Sequence, residues 1–251
     1  MAKASADLEI LFEDDAVIGI AKPAGLPTAN AARGAASLVT RLRERRPAPP
    51  FLGIVSRLDA PVSGVVVVAK TPAAAAGLAS QFRDRSVRKT YVAVVEGRFP
   101  APLNTWVEWH DLIGRRGQER LSTVLPSAAP RAASTVDDDI IAGHSGDDAG
   151  DDQPRPAHVR ARVVRRAGEV SLVELEPTTG RRHQLRVQLA SRGCPIVGDR
   201  LYGARLPFPA GIALHASTLD FTHPVAGRPM RLQAVLPDSW KDKFSAVLPG
   251  R

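Results

Sequence analysis

SRLDAPVSGVVVVAK, residues 56–70, sets one acidic residue in a turn directly before a short apolar run. Asp59-Ala60-Pro61 forms a turn, and residues 65–70 (VVVVAK) are then β-branched and apolar without alternation. A run of that length and kind predicts a strand buried on both faces at the centre of a sheet. Asp59 is therefore expected at the edge of that sheet, where a carboxylate can project into a cleft. Taken alone, an aspartate before a proline is a turn former or a helix cap, so the surrounding sequence has to decide its role.

Working outward, residues 8–12 and 16–21 are apolar runs around Glu13-Asp14-Asp15 and predict a β-hairpin. Lys22-Pro23-Ala24-Gly25 stops its second strand, because proline lacks the donor and glycine permits a turn. Residues 35–46 predict a helix with Leu38, Val39 and Leu42 on one stripe, ended by Arg45-Arg46-Pro47. Thr71 as N-cap and Pro72 at the first position open a second helix that runs to about Arg85. A strand follows at 90–95, and a hairpin spans 159–165 and 170–176 around Ala167-Gly168. Residues 182–192 carry Leu185, Leu189 and Ala190 at helical spacing, with Gly193 as C-cap. Strands at 212–221 and 230–236 and a helix at 238–247 complete the chain. Strands and helices interleave irregularly, with several hairpins. This predicts an α+β fold: a single domain over 1–251 with a central mixed, mostly antiparallel sheet flanked by helices.

One segment departs from this pattern. Residues 131–157 hold seven aspartates between positions 137 and 152, with Gly, Ser and Pro between them. That composition cannot pack a core and predicts a disordered acidic insertion. Its carboxylates lack the alternating spacing and terminal Glu of a calcium loop. The formal net charge of +8 across 251 residues therefore understates how basic the remainder is. A basic body favours a polyanionic partner, RNA or DNA, with an affinity that falls as salt rises. Arginine, which far outnumbers lysine here, grips phosphate in bidentate fashion. A GC-rich coding bias would also enrich arginine.

The lone Cys194 rules out an intrachain disulfide and a cysteine zinc cluster. The N-terminus meets acidic residues before any long apolar stretch, and no apolar run approaches the roughly 20 residues of a membrane span. A cytoplasmic monomer is expected. There is no P-loop, no dinucleotide glycine motif, no H-E-x-x-H and no complete nucleophile elbow. The six histidines do not cluster at ligand spacing, so no metal site is expected.

The quoted stretch resembles the H-R-L-D-x-x-T-S-G motif of the RluA-type pseudouridine synthases. Four more segments agree in order and spacing. ILFEDDAVIGIAKPAGLPT (10–28) resembles the opening hairpin of that family, and RKTYVAVVEG (88–97) its K-x-Y-x-A strand. GRRHQLRVQLASRGCPIVGDRLYG (180–203) resembles its G-R-x-H-Q-I-R helix and following G-D-x-x-Y-G, and LHASTLDFTHPVAGRPMRLQAVLP (214–237) its closing strands. Four positions differ from the common pattern: Ser56 stands for His, Val62 for Thr, and Gln188 and Cys194 each for His. The S4-type domain of many relatives does not precede the first hairpin, so the catalytic domain itself is expected to grip RNA.

The resemblance implies an isomerase that breaks the uracil N1–C1′ bond, rotates the base and rejoins it through C5, with no cofactor. Asp59 would be the essential carboxylate, either attacking C1′ or deprotonating C2′. Arg186 would pair with it. Tyr91 would stack on the extruded uracil and assist loss of the C5 proton. Arg57 would fill the vacated space or hold a phosphate. Lys22, Lys89, Arg181 and Arg182 would contact the RNA backbone, with His183 and Leu185 as supporting residues and His183 also near RNA. Tyr202 reads as structural. Ribosomal and transfer RNA both fit as substrates. Two other functions compete: an RNA-binding or chaperone protein that has lost catalysis, suggested by Ser56 and Val62, and a carboxylate hydrolase using Glu96 or Glu108 as a second acid.

Overall fold

The computed structural model describes residues 8–29, 35–45, 51–115, 122–125 and 153–248. The first hairpin is β1 (Glu9–Glu13) and β2 (Val17–Lys22), followed by α1 (Leu38–Arg45) and the short β3 (Gly53–Ile54). The VVVV run lies in β4 (Ser63–Ala69), every residue of which is buried. Next come α2 (Pro72–Arg83), β5 (Arg88–Glu96), β6 (Val107–Arg115) and β7 (Ser122–Leu125). The long hairpin β8 (Arg155–Ala167) and β9 (Val170–Pro177) leads into α3 (Gln184–Ala190). β10 (Leu214–Thr222), β11 (Pro229–Gln233) and α4 (Asp238–Phe244) end the chain.

The strands form one sheet in the order β1-β2-β4-β10-β5-β9-β8-β6-β7, with β3 beside β4 and β11 beside β10. Every strand pairing is antiparallel except β4 with β10, so the sheet is mixed and mostly antiparallel. The lack of alternation in β4 has a direct cause. Val66 and Val68 face a cluster built on Leu38 and Leu42 of α1, while Val65, Val67 and Ala69 face Ala74 and Leu78 of α2. A strand covered by a helix on each face has no solvent side to mark with polar residues. Each valine so buried contributes about 1.5–3 kcal/mol. Thr71 caps α2 by accepting from the amide of Ala74 at 3.1 Å.

The acidic segment is shorter than composition suggests. Arg155–Ala157 already belong to β8 and pair with Asp111–Ile113 of β6. Ala157 is fully buried against Ile113 and Val187, which drives those residues into the ladder despite their loop-like neighbours. Residues 131–152 lie outside the described residues. No described helix is long and apolar enough to cross a membrane.

The parallel β4–β10 pair requires a close backbone approach at Gly64. Its φ is +121°, and a Cβ there would sit 2.2 Å from the carbonyl oxygen of Ala216. Gly64→Ala is therefore expected to cost about 3 kcal/mol or more. The midpoint of urea unfolding, followed by tryptophan fluorescence, checks this.

Candidate active site

Asp59 sits on an irregular loop that enters the sheet at the start of β4. A second loop, formed by the residues after β2, clamps it along its length. Thr28 Oγ1 donates to the Leu58 carbonyl at 2.9 Å and accepts from the Leu58 amide at 3.1 Å. The Gly25 amide donates to the Ala60 carbonyl at 2.7 Å, with Gly25 at φ +82°. Asp59 closes a tight turn by accepting from the Val62 amide at 3.0 Å, and Pro61 accepts from Ile212 at 3.2 Å. The carboxylate is thus carried by a loop whose backbone is pinned on both sides.

Arg186, on α3, is the charge beside it. The guanidinium is buried, with 6% of its side chain exposed. It donates from Nε and Nη2 to the two oxygens of Asp199, at 2.7 and 2.8 Å, and from Nη1 to Asp59 Oδ2 at 2.9 Å. Asp199 is almost wholly buried (1% exposed), whereas Asp59 is 31% exposed. The bidentate bond to Asp199 therefore fixes the arginine and leaves Nη1 free to donate to the carboxylate that solvent and ligand can reach. Burial works against the guanidinium's charge, but the bonds and charges of Asp199 and then Asp59 outweigh it and raise its pKa. The pair of Arg186 with Asp59 agrees with the expectation from sequence. Asp199 does not figure in that expectation, although Gly198-Asp199 stands in a quoted motif.

Tyr91, on β5, lies opposite Ala216 of β10 and Leu175 of β9 at the centre of the sheet. Burial, and then the nearby charge of Asp59, push its pKa up, so its phenol stays protonated at neutral pH. His183 precedes α3 in the left-handed conformation (φ +53°), and the helix begins at Gln184 rather than Arg182. Gln184 braces this turn, accepting from Thr179 Oγ1 at 2.8 Å and from the Arg181 amide at 3.1 Å. The turn aims the imidazole of His183 at Asp59 Oδ2, 3.7 Å from Nε2. Tyr202 belongs to the same cluster: Arg186 Cζ lies 5.1 Å from its ring centroid, and its hydroxyl is 2.8 Å from His183 Nδ1.

The residues expected to meet RNA separate into two groups. Arg57 and Arg182 are exposed, and Lys89 and Arg181 are half-buried. Lys89 Nζ donates to the Thr179 carbonyl at 3.3 Å, and Arg181 Nε to that of Pro156 at 3.1 Å. Lys22 does not fit the expectation. It is 1% exposed, and its ammonium donates to the carbonyls of Pro23, Leu26 and Ala60 at 2.9, 2.7 and 3.4 Å. A buried amine within reach of three carbonyls braces the Asp59 loop and is not open to a phosphate. Nothing in the apolar pattern of β2 marks its last residue as buried.

Three of the four departures from the family pattern, Val62, Gln188 and Cys194, are buried, and Ser56 is half-buried. Val62 is buried in the core directly after the turn. Gln188 is fully buried, and its Nε2 donates to Asp111 Oδ2 at 2.7 Å. The carboxylates considered for hydrolysis are otherwise engaged: Glu96 accepts from the amides of Arg205 and Leu206, and Glu108 pairs with Arg160. Among the described residues no group of three or more His, Cys, Asp or Glu could hold a metal ion.

A family model described as RNA pseudouridylate synthase matches residues 16–191, which takes in Asp59, Tyr91 and Arg186. The chain belongs to that family. Its members are isomerases that act on RNA. The sequence is 37% identical to ribosomal large subunit pseudouridine synthase D of Xanthomonas campestris pv. campestris, over 96% of this chain and 69% of that protein. It is 32% identical to ribosomal large subunit pseudouridine synthase C of Escherichia coli O157:H7, over 92% of this chain and 67% of that one. The solved structure of human RNA pseudouridylate synthase domain containing 1 superposes with a TM-score of 0.70 at 25% identity, covering 94% of this chain and 87% of the human one. The synthase fold and the RNA-isomerase class expected from the motifs are thereby shown.

Burial pushes the pKa of Lys22 down to about 7, with the charge of Asp59 pulling the other way. Between that value and the ordinary lysine range of about 10.4, the unfolded chain holds a proton that the folded one has shed. Stability attributable to this residue therefore rises with pH across that window. Urea midpoints at pH 7.5 and 9.5 are expected to climb more steeply for the wild-type chain than for Lys22→Met.

Proposed function

We propose that this synthase isomerises uridine in ribosomal RNA, with Asp59 as the catalytic carboxylate, Arg186 as its charge partner and Tyr91 facing the extruded base. The observation that carries this reading is the single Nη1 contact from a guanidinium already locked on Asp199 to a carboxylate that solvent can reach. The names of the two bacterial relatives favour ribosomal over transfer RNA.

Extruding a stacked nucleotide costs a few kcal/mol, which phosphate contacts can offset. Arg57, Lys89, Arg181 and Arg182 are the side chains suited to that task, and such contacts position RNA without reading its sequence. At the reacting centre, the Asp59 oxygen not bonded to Arg186 is available to the ribose, either at C1′ as nucleophile or at the C2′ hydrogen as base. Breaking N1–C1′ leaves the bonding pair on uracil N1; C5–C1′ then forms as any Asp59–C1′ bond breaks, the C5 proton leaves and N1 is protonated, so the conversion conserves protons. Tyr91 enters as a neutral phenol, so its oxygen takes that proton only as it passes its own onward. Substrate and product are isomers, so no redox partner or nucleotide cofactor enters, and the protein works as a cytoplasmic monomer. The competing view of a chaperone that has lost catalysis is not favoured, because the family match is accompanied by an intact Asp59–Arg186 pair.

Asp59→Asn keeps the shape and the hydrogen bond but removes the ionised oxygen. Tritium release from ribosomal RNA labelled at uridine C5 is expected to fall by at least about 10³-fold, with RNA binding kept. An unchanged release rate would remove the assignment.

A further inference from the structure

His183 is held in a conformation that few residues without glycine's freedom adopt, and its side chain has two polar neighbours. On one side, Nδ1 lies 2.8 Å from the hydroxyl of Tyr202. On the other, Nε2 lies 3.7 Å from Asp59 Oδ2, the oxygen that also receives Arg186. The hydroxyl of Tyr202 in turn accepts from the amide of Ser122 on β7 at 3.3 Å, and Ser122 Oγ donates to the Arg182 carbonyl at 3.0 Å.

These contacts set the tautomer. The Tyr202 oxygen already receives the Ser122 N–H, so its own hydrogen is directed at the nearest acceptor, Nδ1 of His183. The ring proton then resides on Nε2, facing the carboxylate. The opposite tautomer would aim an Nε2 lone pair at the Asp59 carboxylate. The groups around the ring are Asp59, Asp199, Arg182, Arg186 and Tyr202. Burial lowers its pKa first, Asp59 opposes, and Arg186 and Arg182 lower it further, so the ring is neutral. At 3.7 Å the pair is an electrostatic contact and not yet a hydrogen bond; catalytic contacts are often long before substrate fills a site.

We propose that His183 is a positioning residue for Asp59, a neutral imidazole fixed as the Nε2–H tautomer by Tyr202 and Ser122, which supplies the carboxylate with a second, uncharged donor beside Arg186. Two donors, one from α3 and one from the turn that precedes it, hold one oxygen and turn the other toward the ribose. The donor line also ties β7 to the reacting centre through Ser122. This rests on the assignment of Asp59 as the catalytic carboxylate.

The test uses the full chain and three variants. His183→Asn tolerates the left-handed backbone and still reaches Tyr202, but is too short for Asp59. His183→Gln restores an N–H at the place of Nε2. Tyr202→Phe removes only the hydroxyl. Imidazole ¹⁵N spectra of the wild-type chain at pH 7 are expected to show a neutral Nε2–H ring for His183, shifting toward the other tautomer in Tyr202→Phe. On ribosomal RNA, kcat is expected to fall about tenfold or more in His183→Asn with KM nearly unchanged, and to return to within about threefold of wild type in His183→Gln. An Nδ1–H ring in the wild type, or a kcat for His183→Asn equal to wild type, would overturn the inference. A Gln variant as slow as the Asn variant would do the same. These results are separable from the fate of the broader reading: if Asp59→Asn is inactive while His183→Asn is fully active, only the role of His183 fails.

Discussion

A buried guanidinium shared between two carboxylates is the constraint on which the site depends. Arg186 is placed by α3 in a dry environment, where an unpaired positive charge is untenable. Asp199, itself almost without solvent contact, meets two of its N–H groups with a matching fork. Leaving either charge of such a pair without its partner costs about 3–5 kcal/mol. That cost keeps the guanidinium in place whether or not Asp59 is engaged in chemistry. Asp59 can then be partly exposed, as a group that must meet a substrate has to be, and still find a fixed donor at 2.9 Å.

The loop that carries Asp59 is held by an equally economical arrangement. Its carbonyls and amides are taken by Thr28, Gly25, Lys22 and Ile212, none of which needs to touch RNA. The segment after β2 is therefore a clamp. Its lysine, whose Nζ lies within reach of three backbone carbonyls, serves as an internal staple. The sheet supplies the rest of the frame: the one parallel pairing, β4 with β10, brings the Asp59 loop and the Pro61–Ile212 contact to the same end of the sheet. Tyr91 is presented by the neighbouring strand β5.

Much of this was readable in the residues. The VVVV run announced a doubly covered central strand because helices on both faces leave no polar register to write. Thr71-Pro72 marked the start of α2 because capping is a local matter of side chain and backbone. The pairing of Asp59 with Arg186 followed from motif resemblance and not from any period or spacing, since 127 residues separate them. What escaped the sequence was burial that only tertiary packing creates. Lys22 looked like a phosphate contact because a lysine at a strand end is ordinarily solvated. Asp199 does not figure in the sequence reading, and Tyr202 reads there only as structural, because the return of the chain over α3 cannot be inferred from local pattern. The start of β8 was hidden because Arg155-Pro156-Ala157 adjoins an acidic, glycine-rich tract, and its strand character comes from partners in β6.

The central claim is that geometry, and not charge alone, makes Arg186 the partner of Asp59. Arg186→Lys tests it most directly, because lysine keeps the charge but cannot make the planar fork with Asp199 while also reaching Asp59. Single-turnover pseudouridine formation on ribosomal RNA is predicted to slow by about 10²-fold, with RNA affinity close to that of the wild-type chain. A lysine variant that reacts at nearly the wild-type rate would contradict the account.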